Sequence, residues 1–183
     1  MEIRTKEGKL ESYVFVRSPE GSDVDAVKES FAAGPGVQFV AQFVGAFVLF
    51  GRVLADDLTS LQAMIKGPYW TSGIRSDWSV NLTGSRDAAP KRGSPPICAL
   101  VRVEATQDPF DLLNHFDDLF LGRVESYGAA VVTGEYDVLV DLGADTIEET
   151  VDLVVELRHS SGIGATATAF ADLTENEIRR DQS

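Results

Sequence analysis

The sequence predicts an α+β protein made of two tandem βαββαβ units, and three observations carry that prediction. Self-comparison of the 183 residues finds Gly45 with Gly134, Asp56 with Asp145 and Gly73-Ile74 with Gly162-Ile163, all recurring at one constant spacing. The order of strand-like and helix-like segments around these pairs is the same in both halves. Residues 84–96, rich in Pro, Gly and basic residues, separate the halves with the composition of an exposed linker. The units therefore span residues 12–83 and 97–173, with polar tails over 1–11 and 174–183.

In the first unit, Tyr13 to Arg17 is an apolar run rich in β-formers, and Val37 to Val44 places Val37, Phe39, Ala41 and Phe43 on one face; both predict strands. Between them Ser22 or Asp23 caps a helix whose Val24, Val27 and Phe31 form one stripe, and Gly34-Pro35-Gly36 stops it. Gly45-Ala46 turns the chain into a third strand, Phe47 to Val53. Asp56 or Asp57 then opens a helix carrying Leu58, Leu61 and Ile65, ended by Gly67-Pro68. The last strand alternates Ile74, Ser76, Trp78, Val80 and Leu82 with Arg75, Asp77, Ser79 and Asn81.

The second unit repeats the order. Strand Ile97 to Val103 leads to Asp108-Pro109, a cap followed by Pro at the first helical position, and Phe110, Leu113, Phe116 and Phe120 supply the buried stripe. Strands Val124 to Val132 and Tyr136 to Leu142 are joined by Thr133-Gly134-Glu135. Thr146 with Glu149 makes a capping box for the helix of Ile147, Val151, Val154 and Leu157, and Ile163 to Ala171 closes the unit. A βαββαβ order is the ferredoxin-like arrangement, an antiparallel sheet with both helices on one face. Phe39, Phe43, Trp78 and Val80 make the other face apolar too, so two copies are expected to pack sheet to sheet as an intramolecular pseudo-dimer of the dimeric α+β barrel type.

Composition excludes several function classes. With 29 acidic residues against 16 Lys and Arg, a formal charge of -13 argues against direct nucleic-acid binding. No early apolar segment and no membrane-length run occur, so a cytoplasmic protein without a membrane partner is expected. The single cysteine, Cys98, sits in an apolar strand pattern and reads as a small buried hydrophobe. His115 and His159 lack partners at metal spacing, and His115 reads as a partly buried structural imidazole; no metal is expected. Asp56-Asp57, Asp117-Asp118 and Glu148-Glu149 read as caps and solvated faces. The Gly-rich turns lack the context of a phosphate loop, so no cofactor is expected. Pro68-Tyr69-Trp70 is an aromatic cluster, with Trp70 read as an interface residue.

The run Val132-Thr133-Gly134-Glu135-Tyr136-Asp137-Val138-Leu139-Val140, with Ala144-Asp145 and Ser161-Gly162-Ile163, resembles the ligand-binding (RAM) domain of the Lrp/AsnC family over nearly all of residues 97–173. Its most specific part is the Gly-x-Tyr-Asp turn. Gly45-Ala46-Phe47-Val48 is the degenerate counterpart in the first unit, with Val48 where the motif has Asp. The resemblance implies a non-catalytic regulatory protein that binds a small effector, an amino acid among the candidates, where units meet. The residues so implied are Thr133, Gly134, Tyr136 and Asp137, with Gly45 and Phe47 in the first unit. Residues 1–11 are too short for a helix-turn-helix, so regulation would work by assembly, as a homo-oligomer or with a full-length Lrp/AsnC regulator. From the residues themselves, Gly134 suits a positive φ, Asp137 offers an acceptor and Tyr136 an apolar wall with a hydroxyl. A plain hairpin turn accounts for the same residues, and both readings stand at this point. The rival expectation is a dimeric α+β barrel enzyme, such as a cofactor-free monooxygenase with its site between the sheets. A purely structural oligomerisation partner is the third.

Overall fold

A computed structural model of the chain describes residues 8–17, 23–66, 75–83, 88–91 and 93–179. The first half contains β1 (Leu10–Arg17), α1 (Val24–Ala32), β2 (Val37–Gln42), a two-residue β3 (Val44–Gly45), β4 (Leu49–Ala55), α2 (Leu58–Lys66) and β5 (Arg75–Val80). The second contains β6 (Ile97–Ala105), α3 (Pro109–Phe120), β7 (Ser126–Val131), β8 (Val138–Ala144), α4 (Ile147–Arg158) and β9 (Ile163–Asp172), followed by α5 (Leu173–Asn176) and β10 (Glu177–Arg179). The fold is α+β, with two five-stranded antiparallel sheets ordered β10-β2-β4-β1-β5 and β3-β9-β6-β8-β7. In each half the first strand lies between the third and the fourth, the strand order expected of a ferredoxin-like unit.

Local chemistry sets the helix starts. Asp23 accepts the amides of Asp25 and Ala26 at the head of α1, and Asp108 those of Phe110 and Asp111 at the head of α3, where Pro109 has no amide to satisfy. Thr146 caps α4 as expected, its Oγ1 accepting the Glu149 amide, but the return bond to the Glu149 carboxylate is donated by the Thr146 hydroxyl and not by its amide, so the capping box is half formed. Asp57 accepts the Ser60 amide at 2.7 Å, so Asp57 is the acidic residue that opens α2. Phe31 on α1 packs with Val14, Val16, Val40, Leu49 and Val53, and Gly51 is the residue that makes room for it: a Cβ there would stand 2.2 Å from the ring. Leu112, Leu113, Phe116, Phe120, Val154 and Leu157 cover the equivalent face of the second sheet.

The opposite faces of the two sheets share one core. Tyr13, Phe15, Phe39, Phe43, Phe47 and Phe50 from the first half pack with Cys98, Leu100, Ala130, Val132, Leu139, Ala169 and Ala171 from the second. Ring centroids lie 5.1 Å apart for Phe15–Phe47, 5.4 Å for Phe15–Phe50 and 5.5 Å for Phe43–Phe47. Hydrogen bonds also link the sheets at both flanks. Asn81 bridges Val132, with the Leu82 amide bonded to the Val131 carbonyl and the Thr133 amide to that of Val80. On the other flank β3, which continues β2, pairs with β9 at Phe170 and Ala169. The strands thus run as a circuit from β2 through β4, β1, β5, β7, β8, β6 and β9 back to β3.

Several expectations change. Val37 packs on the helix side while Phe39, Ala41 and Phe43 face the other sheet, because the β2–β4 register shifts between Val37 and Phe39. Trp78 packs on the helix-side cluster, so the aromatic inner face of the first sheet comes from Tyr13 and Phe15 on β1, Phe39 on β2, Phe50 on β4, and Phe43 and Phe47 in the connection between β2 and β4. Leu10 and Glu11, expected in a polar tail, are buried strand residues, and α5 and β10 occupy the other expected tail. Within the segment expected to be an exposed linker, Ala88, Ala89 and Pro90 are buried, the two alanines in the inter-sheet core. The helix stop at Gly67-Pro68, the repeat pair Gly73-Ile74 and the cluster Pro68-Tyr69-Trp70 lie outside the described residues. Among the described residues no helix is long and apolar enough to cross a membrane.

Candidate functional site

Along β6, Ala99, Val101 and Val103 point to the helices, and Cys98, Leu100 and Arg102 point to the other sheet. Alternation therefore carries Arg102 into the space between the sheets, where it is 4% exposed. Its guanidinium carbon lies 4.4 Å from the ring centroid of Tyr136, 4.9 Å from that of Phe15 and 5.5 Å from that of Phe47. A cation held by rings in a desolvated place gains about 2 kcal/mol from such contacts.

Charge compensation comes from the first half. Nη1 of Arg102 donates to Asp77 Oδ2 at 3.1 Å, and the same oxygen lies 2.9 Å from Arg17 Nη2. Arg17 Nη2 also reaches Glu135 Oε2 at 3.3 Å, at the exposed tip of the β7–β8 hairpin. Two guanidiniums and two carboxylates from β1, β5, β6 and the hairpin thus form one chain of charge running from solvent inward. Nε of Arg102 is buried and makes no hydrogen bond. Leaving such a donor unmet costs roughly 1–3 kcal/mol, a cost that a Met or Leu at this position would avoid.

Of the residues expected at a ligand site, Phe47 and Tyr136 come together here, on two sides of Arg102. Thr133 and Gly134 lie beside β5: the Val80 amide donates to Thr133 Oγ1 at 2.9 Å, and Gly134, at φ 119°, has Ser79 Oγ 3.2 Å from where a Cβ would stand. Asp137 accepts the Ala105 amide at 2.9 Å, while its own amide donates to the Val103 carbonyl. Gly45 is in β3, at φ 137°, against the backbone of Thr168 and Ala169. Sequence reading did not find Arg102, Asp77 or Arg17. The available signal was a lone charge at an inward position of the apolar run Ile97–Val103.

A second buried polar group lies elsewhere in the inter-sheet space. Glu11 is paired with Arg52 and accepts from Asn81 Nδ2 at 2.6 Å; Asn81 Nδ2 also reaches the Tyr13 hydroxyl, which accepts the Ala88 amide at 3.2 Å. These bonds fix the connecting segment against β1, a structural role. Among the adjacent acidic pairs, Asp57 and Glu149 sit at helix starts as expected, whereas Asp117, expected on a solvated face, is half-buried and accepts the Tyr127 hydroxyl at 2.9 Å. His115, expected to be partly buried, is exposed on α3, and His159 is exposed at the end of α4.

No protein-family model and no curated protein matches the sequence. Solved structures match in fold. The siroheme decarboxylase NirDL aligns with TM-score 0.64 at 12% identity, over 92% of this chain and 72% of that one. Chlorite dismutase from Candidatus Nitrospira defluvii aligns with TM-score 0.56 at 14% identity over 93% of each chain. An anthrone oxidase-like protein aligns with TM-score 0.55 at 12% identity, over 96% of this chain and 97% of that one. Likeness at this identity is a likeness of fold.

These matches correct the resemblance to the Lrp/AsnC ligand-binding domain, and with it the expected effector-binding regulator that works by assembly. The expectation of no enzymatic activity is corrected too, since the structures sharing this fold over nine-tenths of the chain carry enzyme names. The physical reason lies in the Gly-x-Tyr-Asp turn. Its Gly supplies a positive φ and its Asp ties the hairpin to the end of β6 at Ala105, needs that belong to the strand arrangement and not to a regulator.

NirDL has also been solved with an iron-uroporphyrin III analogue, so the fit of such a group to this chain can be tested. A tetrapyrrole disc needs a broad apolar slot and an inward iron ligand. Here the inter-sheet space is filled by Tyr13, Phe15, Phe39, Phe43, Phe47 and Phe50, and the space beneath α3 by Leu112, Leu113, Phe116 and Phe120. Both histidines point outward. The described residues do not fit an iron tetrapyrrole.

Proposed function

We propose that the chain is an enzyme of the dimeric α+β barrel type, with residues 12–83 and 97–173 packed as an intramolecular pseudo-dimer, and that it works with protein groups alone. Its substrate is a small enolisable aromatic ketone that ionises to an oxyanion, and its site is the Arg102 end of the inter-sheet space. The observation carrying this reading is Arg102 itself: a buried guanidinium walled by Phe15, Phe47 and Tyr136, with one N–H uncommitted. The anthrone oxidase-like neighbour, matched over almost the whole of both chains, supports the reaction class.

In such a reaction a ring CH₂ loses a proton to water, leaving an enolate whose oxygen is stabilised by Arg102. Dioxygen adds at the carbanion carbon and takes up a proton to give a hydroperoxide, which loses water to leave C=O. One oxygen atom enters the product, the other leaves as water, and dioxygen is the oxidant. Phe15 and Phe47 keep water from the guanidinium, and Asp77 holds it in place. The test is oxygen uptake with dithranol as substrate. Wild-type protein is expected to consume one dioxygen per quinone formed, and Arg102→Gln to lower kcat/KM by about 10²-fold or more. Uptake no faster than in buffer sinks the proposal.

A further inference from the structure

The uncommitted Nε of Arg102 and the ring covering its guanidinium form a device of their own. We infer that Tyr136 is a movable wall, and that turning it aside exposes a binding site on Arg102 for a planar aromatic carboxylate or oxyanion. The inference rests on the placing of the site at Arg102 and adds the ligand class and the way in.

The β7–β8 hairpin is anchored on both sides of its tip. Thr133 is bonded in both directions to Val80, and Asp137 is held by Val103, Ala105 and the Val132 amide. Between these anchors only Gly134, Glu135 and Tyr136 remain. What holds them is the exposed Arg17–Glu135 pair and the Tyr136 ring stacked on the guanidinium, a weak tether beside firm posts. Tyr136 is half-buried, at the edge of the covered space and not deep within it. Its departure leaves a flat cation bounded by Phe15 and Phe47, which a flat π-system fits in place of the departed ring. The charge follows from the guanidinium. Nη1 is already committed to Asp77, whereas Nε is not, and Nε with the neighbouring nitrogen is the edge that receives a carboxylate through two parallel bonds. Asp77 is then a competitor by charge: its carboxylate is shared between Arg102 and Arg17 while the site is empty.

The test reads binding without turnover, by calorimetry of the full chain with sodium benzoate, benzamide and sodium sulfate. Wild-type protein is expected to bind benzoate saturably and benzamide at least about tenfold more weakly, with no comparable response to sulfate. Arg102→Gln is expected to lose about tenfold or more in benzoate affinity. Asp77→Asn keeps an amide oxygen to accept from Nη1 and so hold the guanidinium, but removes the neighbouring negative charge, so benzoate should bind several-fold tighter, an outcome that a merely folded or misfolded variant does not produce. Tyr136→Ala should raise the association rate. Absence of benzoate binding, equal binding of benzamide or sulfate, or weaker binding by Asp77→Asn overturns the inference. Benzoate binding as described without dithranol oxidation leaves this site standing and removes the oxygenase reading; dithranol oxidation without benzoate binding does the reverse.

Discussion

The carboxylate of Asp137 accepts the backbone amide of Ala105 across the β8–β6 pair at 2.9 Å. The residue that most resembles a ligand anchor in the sequence is therefore a strut between two strands. Asp137→Ala should cost about 1–2 kcal/mol, seen as a lower midpoint in urea, because the Ala105 amide loses its partner. Asp137→Asn keeps an acceptor oxygen and should recover most of that loss.

Phe50 is fully buried and touches Tyr13, Phe15, Phe39 and Phe43 in the core shared by the two sheets. Phe50→Ala should destabilise by about 3–5 kcal/mol. Since residues of both halves pack in that core, fluorescence and far-UV circular dichroism should report one coincident transition. Two separated transitions would show that the halves fold independently.

Gly45 and Gly134 share a repeat register and a positive φ, but their surroundings differ. A Cβ at Gly45 would stand 2.6 Å from the Thr168 carbonyl oxygen and 2.9 Å from Ala169 Cα, both backbone atoms; at Gly134 it would meet the Ser79 hydroxyl at 3.2 Å. Both Ala variants carry backbone strain of about 1–3 kcal/mol, and Gly45→Ala should be the worse because β3 must separate from β9. Thermal melts of the two variants check the order.

Asp172 caps α5, accepting both the hydroxyl and the amide of Thr174. The hydroxyl first, and then the amide, hold its carboxyl below the usual value. A group with a lowered folded pKa adds stability above its unfolded value and loses it as pH falls through the folded one. Acidification through and below the ordinary carboxylate range should therefore loosen α5 and the β10–β2 pairing. Hydrogen exchange at Val40 and Ala41, opposite β10, should show it, and Asp172→Asn should remove the pH dependence.

Hemin added to the protein should keep the spectrum of hemin in buffer and leave the melting temperature unchanged, since the aromatic core and the outward histidines leave no slot among the described residues. A stoichiometric shift to a defined Soret maximum would refute that reading.

Much of the fold was legible because it is written locally. Period-two alternation placed the strands, and Asp23, Asp108 and the Thr146–Glu149 pair marked helix starts. Gly45 and Gly134, singled out by their common spacing, both take a positive φ. The bulge between Val37 and Phe39 was not legible, because alternation carries no record of where a register slips. The burial of Glu11 was hidden for another reason. Its partners Arg52 and Asn81 lie far along the chain, and a carboxylate near the start of a sequence reads as surface until they are in place. The candidate site was half visible: Phe47 and Tyr136 were singled out, each in its own unit. Arg102 and Asp77 acquire meaning only when the sheets face each other.

The pairing of β10 with β2 reverses the order in which the molecule can be finished. The first sheet takes its outermost strand from residues 177–179, so on the ribosome the amino-terminal half emerges with that edge of β2 still bare. Until the distal residues are released, the nascent chain presents the kind of template that chaperones shield and neighbouring copies invade. Translational pausing before residue 177 would lengthen that exposure, and a product truncated before it would keep it permanently.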